Sequence, residues 1–478
     1  VPVKEAIVSR QRGETGPAAR QEQVAMAGTV DGNGMRLGTS LCLLAAGQLL
    51  ASFGIQWYTI ARLGVGSDTD ALYAGSTLLQ LCSAVVLDQV SFVLVPLLAA
   101  REERERCILA WPLFVGISSL FALVTLFLYG VAPYLVPLMT PGFSTPTVLL
   151  AVELTRIQLL GLLGAACFTV LSALYQVRNQ FLRPSSAVLV CSLLGWVVLV
   201  AGLPTQGVRL AAWVQVLLWC GPALLLVGGL GAWSPWTVAH RAVCRDLWLR
   251  VRPLLVSATF VRTGFVVDRF LTSFLTAGSL VLLDLTWRVM AALVRIFNQG
   301  LVTPAVPTLA TLASGGRWHE FVRLCRERLL WMGSAGATAS ALLITLAILG
   351  RSFGDGLSSM GATAETLATI QRILLAGAGL LLFGGVNHVL VNAFYAEGDT
   401  SVPAKVEIGT SLAGLALKGI GFLMGGLIGI ALATSIQYAL SSLLLGLLFH
   451  RRMAVRLHDK IQDPVQSMLG IQTPGQLS

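Results

Sequence analysis

Long apolar runs alternate along the chain with short charged connectors. A helix crosses the ~30 Å hydrocarbon core of a bilayer in about 20 residues, and twelve runs bounded by charge or by Gly/Pro clusters reach that length. Their cores lie at 38–61, 71–99, 108–130, 148–174, 184–203, 209–231, 254–277, 281–305, 329–349, 367–395, 403–422 and 426–448. The pattern predicts an all-α polytopic membrane protein with about 12 transmembrane helices.

The connectors alternate in basic content, which orients the spans. With the N-terminus inside, 23 of the 33 Lys and Arg residues fall on one face, and only Arg62, Arg209 and Arg351 on the other. The positive-inside rule then places both termini in the cytoplasm.

The two halves resemble each other. A Val-Pro step closes the second span (FVLVPLLAA) and the eighth (VTPAVPTLA), about 210 residues apart. LTRIQLLG and SALYQVRNQ of the fourth span match IQRILLAG and NAFYAEGDT of the tenth, which pairs Arg156 with Arg372. The chain therefore divides into a disordered cytoplasmic tail (1–36), a first six-helix lobe (37–231), a basic cytoplasmic linker (232–253), a second lobe (254–448) and a C-terminal cytoplasmic tail (449–478). An even number of helices per copy makes this a parallel, pseudo-symmetric repeat, the architecture in which carriers place substrate between two rocking lobes.

Composition removes other classes. Only 12% of the 478 residues are charged and 55% are apolar, against about 25% charged in globular proteins, and mean hydropathy is +0.77. A soluble protein is excluded. The net charge of +10 is mostly the orienting bias, so it signals topology rather than a nucleic-acid partner. The eight cysteines are scattered without a CxxC pair, which supports apolar helix positions rather than a metal site or disulfide framework. No GxxxxGK[ST] motif is present, so no nucleotide cofactor is expected.

Seven basic residues remain inside spans: Arg156, Arg262, Arg269, Arg288, Arg295, Arg372 and Lys418. An ionised group at the bilayer centre costs ~2.5–3.5 kcal/mol even on the lenient insertion scale, so each needs a partner or a function. Arg262 and Arg269 are seven apart in the seventh span, as are Arg288 and Arg295 in the eighth; about two turns separate the members of each pair, which puts them on one helix face. Such stripes suit a cationic cavity that binds phosphate, because the guanidinium offers bidentate donors and stays charged. The alternative is neutralisation by Asp268, Asp284 and Asp88, with a role in packing alone. Glu153 and Arg156 form an i, i+3 pair of structural character, and His388 is more simply a helix-contact residue than a proton relay.

Six segments carry a family resemblance: IARLGVGSDTDALYAG, FVLVPLLA, PGFSTPT, VDRFLTSFLTAGSLVLLDLTWR, NAFYAEGDTSVPAK and GIALATS. From about residue 38 to 450 the chain resembles the MurJ/MviN family of lipid II flippases, within the multidrug/oligosaccharidyl-lipid/polysaccharide exporter (MOP) superfamily, whose drug-exporting branch is MATE. The resemblance implies a bacterial cytoplasmic (inner) membrane location. It also implies an undecaprenyl-pyrophosphate-linked saccharide as partner, met by cavity arginines, together with membrane lipids and cell-envelope glycan synthesis enzymes. It carries the family's TDA acid onto Asp70 and its span 8 arginine onto Arg288. Where the family has three further arginines, this chain has Leu50, Gln56 and, near the third position, Gln80; Arg262, Arg269 and Arg295, with Asp88 nearby, are candidates to replace them at the substrate.

Some members resemble sodium-linked carriers, and their ion-site positions fall here on Asp268, Gly414, Lys418 and Thr434. The expectation is that the Lys418 ammonium pairs with Asp268 in place of the cation, leaving an ion gradient or the membrane potential as driver without a bound cofactor. The family's usual fourteen helices are not matched, since no apolar run follows Phe449; a short amphipathic helix from about 450 to 462 is expected instead. The leading reading is a flippase rather than an enzyme. A Wzx-type flippase for exopolysaccharide or O-antigen units, a MATE-type drug exporter and a non-transporting scaffold of the same fold are the rivals.

Overall fold

The computed structural model describes residues 17–99, 101–234, 238–298, 302, 305–352 and 364–469, and it is helical, with no strand among the described residues. The first lobe contains α1 (Pro17–Leu63), α2 (Ser67–Cys82), a π-helical turn (Ser83–Leu87), α3 (Asp88–Ala99) and α4 (Glu103–Met139), then α5 (Thr145–Val177), α6 (Leu182–Gln206) and α7 (Val208–Leu226). The second contains α8 (Val238–Thr272), α9 (Ser279–Phe297), α10 (Val306–Ser314), α11 (Trp318–Ser352), α12 (Ala364–Ala396) and α13 (Ser401–Leu469).

Among the described residues eight helical segments are long and apolar enough to cross a membrane. The expected spans 7 and 8 fall on α8 and α9, whose interiors carry Arg262, Asp268 and Arg269, and Asp284, Arg288 and Arg295. Expected spans 11 and 12 both lie in α13, whose backbone leaves helical geometry at Gly426 (φ 54°, ψ −125°). The arms on either side pack together: a Cβ on Gly421 would strike the Gly429 carbonyl, and one on Gly414 would strike the Gln437 amide. α13 is thus a helical hairpin. Large apolar side chains such as Leu43, Phe92, Tyr134 and Leu423 face outward, as surfaces against lipid do.

Two boundaries differ from the expectation. Residues 17–36, expected as disordered tail, are helical and run into the first span; residues 1–16 lie outside the described residues. Of the expected linker, 238–253 continues into the seventh span as one helix: VAHRAVCRDLWLRVR holds no Gly or Pro, and the helix runs on through Pro253. The helix after Phe449 extends to Leu469. Just outside the membrane-spanning part, the Arg452 hydrogen bond, helped by Ser401, holds the Asp399 carboxyl well below the usual carboxylate range.

The repeat is visible in the packing. In the first lobe α5 is central, touching α2, α4 and α7; in the second, α12 touches α9, α11 and the second arm of α13. A shift of 219 residues carries Thr145–Val177 onto Ala364–Ala396. Both helices close alike: Gln180 N–H donates to the Tyr175 carbonyl at 2.9 Å and Asp399 N–H to the Phe394 carbonyl at 3.0 Å. The residue between is left-handed in each, Asn179 (φ 59°) and Gly398 (φ 82°), which is the Schellman closure. The same shift superposes the turn glycines Gly207 and Gly426, both of positive φ. This register corrects the sequence matches: Tyr175 pairs with Phe394 rather than Tyr395, and Arg372 pairs with Glu153 rather than Arg156.

Candidate functional site

The lobes meet along α2 and α3 on one side and α8 and α9 on the other. At the end with few basic residues the contact is sealed. Gly278 (φ 92°) caps α9 without a side chain of its own, and Asp70 of the other lobe supplies the missing acceptor. Its Oδ2 accepts from Gly278 N–H at 2.6 Å and its Oδ1 from Val281 N–H at 3.0 Å. This is an N-cap in trans, and a carboxylate there also complements the helix dipole. Two glycines allow the approach: a Cβ on Gly278 would strike Val65, and one on Gly142 would strike the Ser273 carbonyl. Asp70, expected at the substrate, is therefore 3% exposed and committed to backbone amides.

One turn deeper lies a buried charged cluster. Asp284 binds Arg269 Nη2 through Oδ1 at 2.6 Å and Arg288 Nε through Oδ2 at 2.6 Å. Arg269 also donates Nε to Thr77 Oγ1 at 2.8 Å and lies over the Phe265 ring at 3.6 Å. It is 3% exposed and held by Asp284 and Thr77, so its donors are committed within the protein, contrary to the expected substrate role. Its carboxylate is Asp284 rather than the adjacent Asp268. Arg288 is 34% exposed and sits over Tyr73 at 5.7 Å.

Arg288 and Arg295 reach a cavity of about 250 Å³ whose opposite wall is α1, with Ser52, Phe53 and Gln56. This places Gln56 across from Arg288, between the lobes. A smaller recess of about 130 Å³ joins Gln80 and Ala84 to Arg262 and Phe265. Arg262 lies 3.9 Å from Asp88, both half-exposed. A further cavity, about 560 Å³, is inside the second lobe; Arg262, Asp268, Trp287, Arg295, Lys418 and Thr434 are among its walls. Lys418 Nζ sits 2.7 Å from Asp268 Oδ1 and donates to the Gly264 carbonyl at 3.2 Å, so the expected ion pair is made. Thr434 Oγ1 donates to the Ile430 carbonyl at 3.1 Å. His388 lines the same cavity.

The arrangement presents guanidinium groups to a space between α1 and α9 while the opposite end of the bundle is shut. It suits an anionic head group entering from the basic face. Glu153 pairs with Arg209, through bonds of 2.6 and 3.1 Å, and not with Arg156, which reaches the Tyr129 carbonyl and ring. Sequence reasoning missed Tyr73 and Thr77, although Asp70, Tyr73, Thr77 and Gln80 follow the i, i+3, i+4 spacing of one helix face.

Known proteins share this fold and, over most of the chain, a family pattern. A family model described as lipid II flippase MurJ matches residues 61–473. A Synechocystis protein described as "Probable lipid II flippase MurJ" is 26% identical over 369 residues, covering 71% of this chain and 67% of the relative. A Thermotoga maritima protein of the same description is 29% identical over 174 residues, 36% of this chain and 35% of that one. A solved structure of lipid II flippase MurJ in an inward closed conformation superposes with a TM-score of 0.72 at 18% identity, covering 90% of this chain and 94% of that one. An inward-facing MATE transporter of the MOP superfamily superposes at 0.65 and 13% identity, covering 88% and 95%, so fold is shared well beyond sequence. With the family model spanning most of its length, the chain belongs to the lipid II flippase MurJ family.

Proposed function

We propose that the chain carries lipid II, an undecaprenyl-pyrophosphate-linked saccharide, from the inner to the outer leaflet of the bacterial cytoplasmic membrane by alternating access, without a covalent step. In this reading twelve helices cross the membrane and both termini are cytoplasmic. The pyrophosphate meets Arg288, with Arg295, Arg262 and Gln56 around it, while the polyprenyl chain stays in lipid. The observation that carries this is the Arg288 guanidinium, held by Asp284 yet one-third exposed in the wall between α1 and α9. Arg binds diphosphate through paired donors and keeps its charge at every relevant pH.

The Lys418–Asp268 pair stands in for a bound cation, so transport proceeds without sodium. The membrane potential supplies the drive, at ~2.3 kcal/mol per charge per 100 mV. Gln56 and Gln80, in or near positions where the family resemblance implies arginine, favour a second reading, a Wzx-type flippase for another undecaprenyl-linked saccharide. Rescue of a cell depleted of its own lipid II flippase separates the two. The lipid II reading expects rescue by the wild type and none by Arg288→Ala; no rescue by the wild type favours the second reading.

A further inference from the structure

The carboxylate of Asp284 is shared by two arginines of unequal freedom. Arg269 is enclosed and anchored across the lobe boundary on Thr77, whereas Arg288 reaches the cavity between the lobes. We propose that Asp284 is a positioning residue that holds Arg288 back from an anionic ligand, and that the Thr77–Arg269 bond sets the strength of that hold. This rests on the reading of Arg288 as the diphosphate anchor.

The chemistry is competition for one carboxylate. Two guanidinium groups and one carboxylate leave a single net positive charge, and a charge-assisted bond at 2.6 Å fixes the Arg288 Nε, leaving its terminal nitrogens for the cavity. A diphosphate arriving there competes with Asp284 for the same guanidinium. Arg269 competes with Arg288 for Asp284, and Thr77 relieves part of that demand by accepting its Nε. Removing Thr77 turns Arg269 more fully onto Asp284 and loosens Arg288. Thr77 shares a face of α2 with Asp70, two turns away, whose carboxylate closes the sealed end of the bundle. Opening that end separates α2 from α8 and α9 and removes Thr77 from Arg269. One carboxylate thereby ties ligand affinity to gate position.

The test titrates farnesyl diphosphate, a soluble prenyl diphosphate, into the purified full-length chain by calorimetry. Asp284→Asn and, without any change in charge, Thr77→Val are expected to tighten binding by about two- to tenfold, the range of one net hydrogen bond. Asp284→Glu restores the wild-type value, and the tightening disappears in an Arg288→Ala background. In transport the same variants lower KM and also lower the maximal rate, because release slows. A merely structural cluster would reduce thermal stability and leave this affinity where it was.

If Asp284→Asn does not fold, Thr77→Val decides alone. Unchanged or weaker binding in the folded variants, alongside a loss in Arg288→Ala, overturns the positioning role and leaves the anchor standing. Wild-type affinity in Arg288→Ala removes the anchor and the positioning role together.

Discussion

Replacing Asp70 by Ala removes the cap that one lobe lends to the other. Two charge-assisted hydrogen bonds to Gly278 and Val281 are lost, each worth about 1.5–3 kcal/mol, together with about 0.3–1 kcal/mol for a carboxylate at a helix N-terminus. Water entering the opened end recovers part of this, leaving about 3 kcal/mol, a factor of roughly 100 in the closed-to-open ratio. A carrier whose minor state is populated at about 1% would then hold the two states in near-equal amounts. Spin labels at Ser67 and Ala277, introduced through cysteine, read the gap by double electron–electron resonance. The wild type gives one short distance, and Asp70→Ala adds a longer one of comparable weight. A single unchanged short distance in the folded variant, with transport at the wild-type rate, would refute the role of this cap in closure.

Other perturbations follow from the same geometry. Gly278→Ala puts a Cβ against Val65 at a residue of φ 92°, and its expected result is partial opening of the same spin-label pair with a lower melting temperature. Lys418→Ala leaves Asp268 buried without its counter-charge, a loss of about 3–5 kcal/mol where one partner of a buried pair is removed; melting in detergent reads it, and sodium should recover more stability in this variant than in the wild type. Equal transport by the wild type with and without sodium is expected as well, and strict sodium dependence would remove the substitution of Lys418 for a cation.

The helical membrane fold and most helix positions were legible because lipid-facing helices must be apolar over their whole length and charged connectors punctuate them. The register of the repeat was less so. Apolar helices tolerate a shift of one turn without changing composition, so only backbone features fixed it: the left-handed Asn179 and Gly398, and the turns at Gly207 and Gly426. Charge partners divided in the same way. The Lys418–Asp268 pair was reached by matching positions to a family, but which of Asp268, Asp284 and Asp88 neutralises Arg269 stayed open in the sequence, and the partner is Asp284. Adjacent helical residues point about 100° apart, so sequence proximity misleads where spatial neighbours come from other helices. The trans cap at Asp70 was unreadable because its partners are backbone amides 208 and 211 residues away, which no side-chain motif announces.

Direct observation of lipid II crossing a bilayer tests the central claim most closely. Fluorescent lipid II is distributed over both leaflets of liposomes containing the folded chain, with a membrane potential imposed, and dithionite is added outside. The account predicts bleaching well beyond the outer leaflet's share, lost in Arg288→Ala. Bleaching confined to the outer leaflet in the presence of the wild-type chain would contradict it.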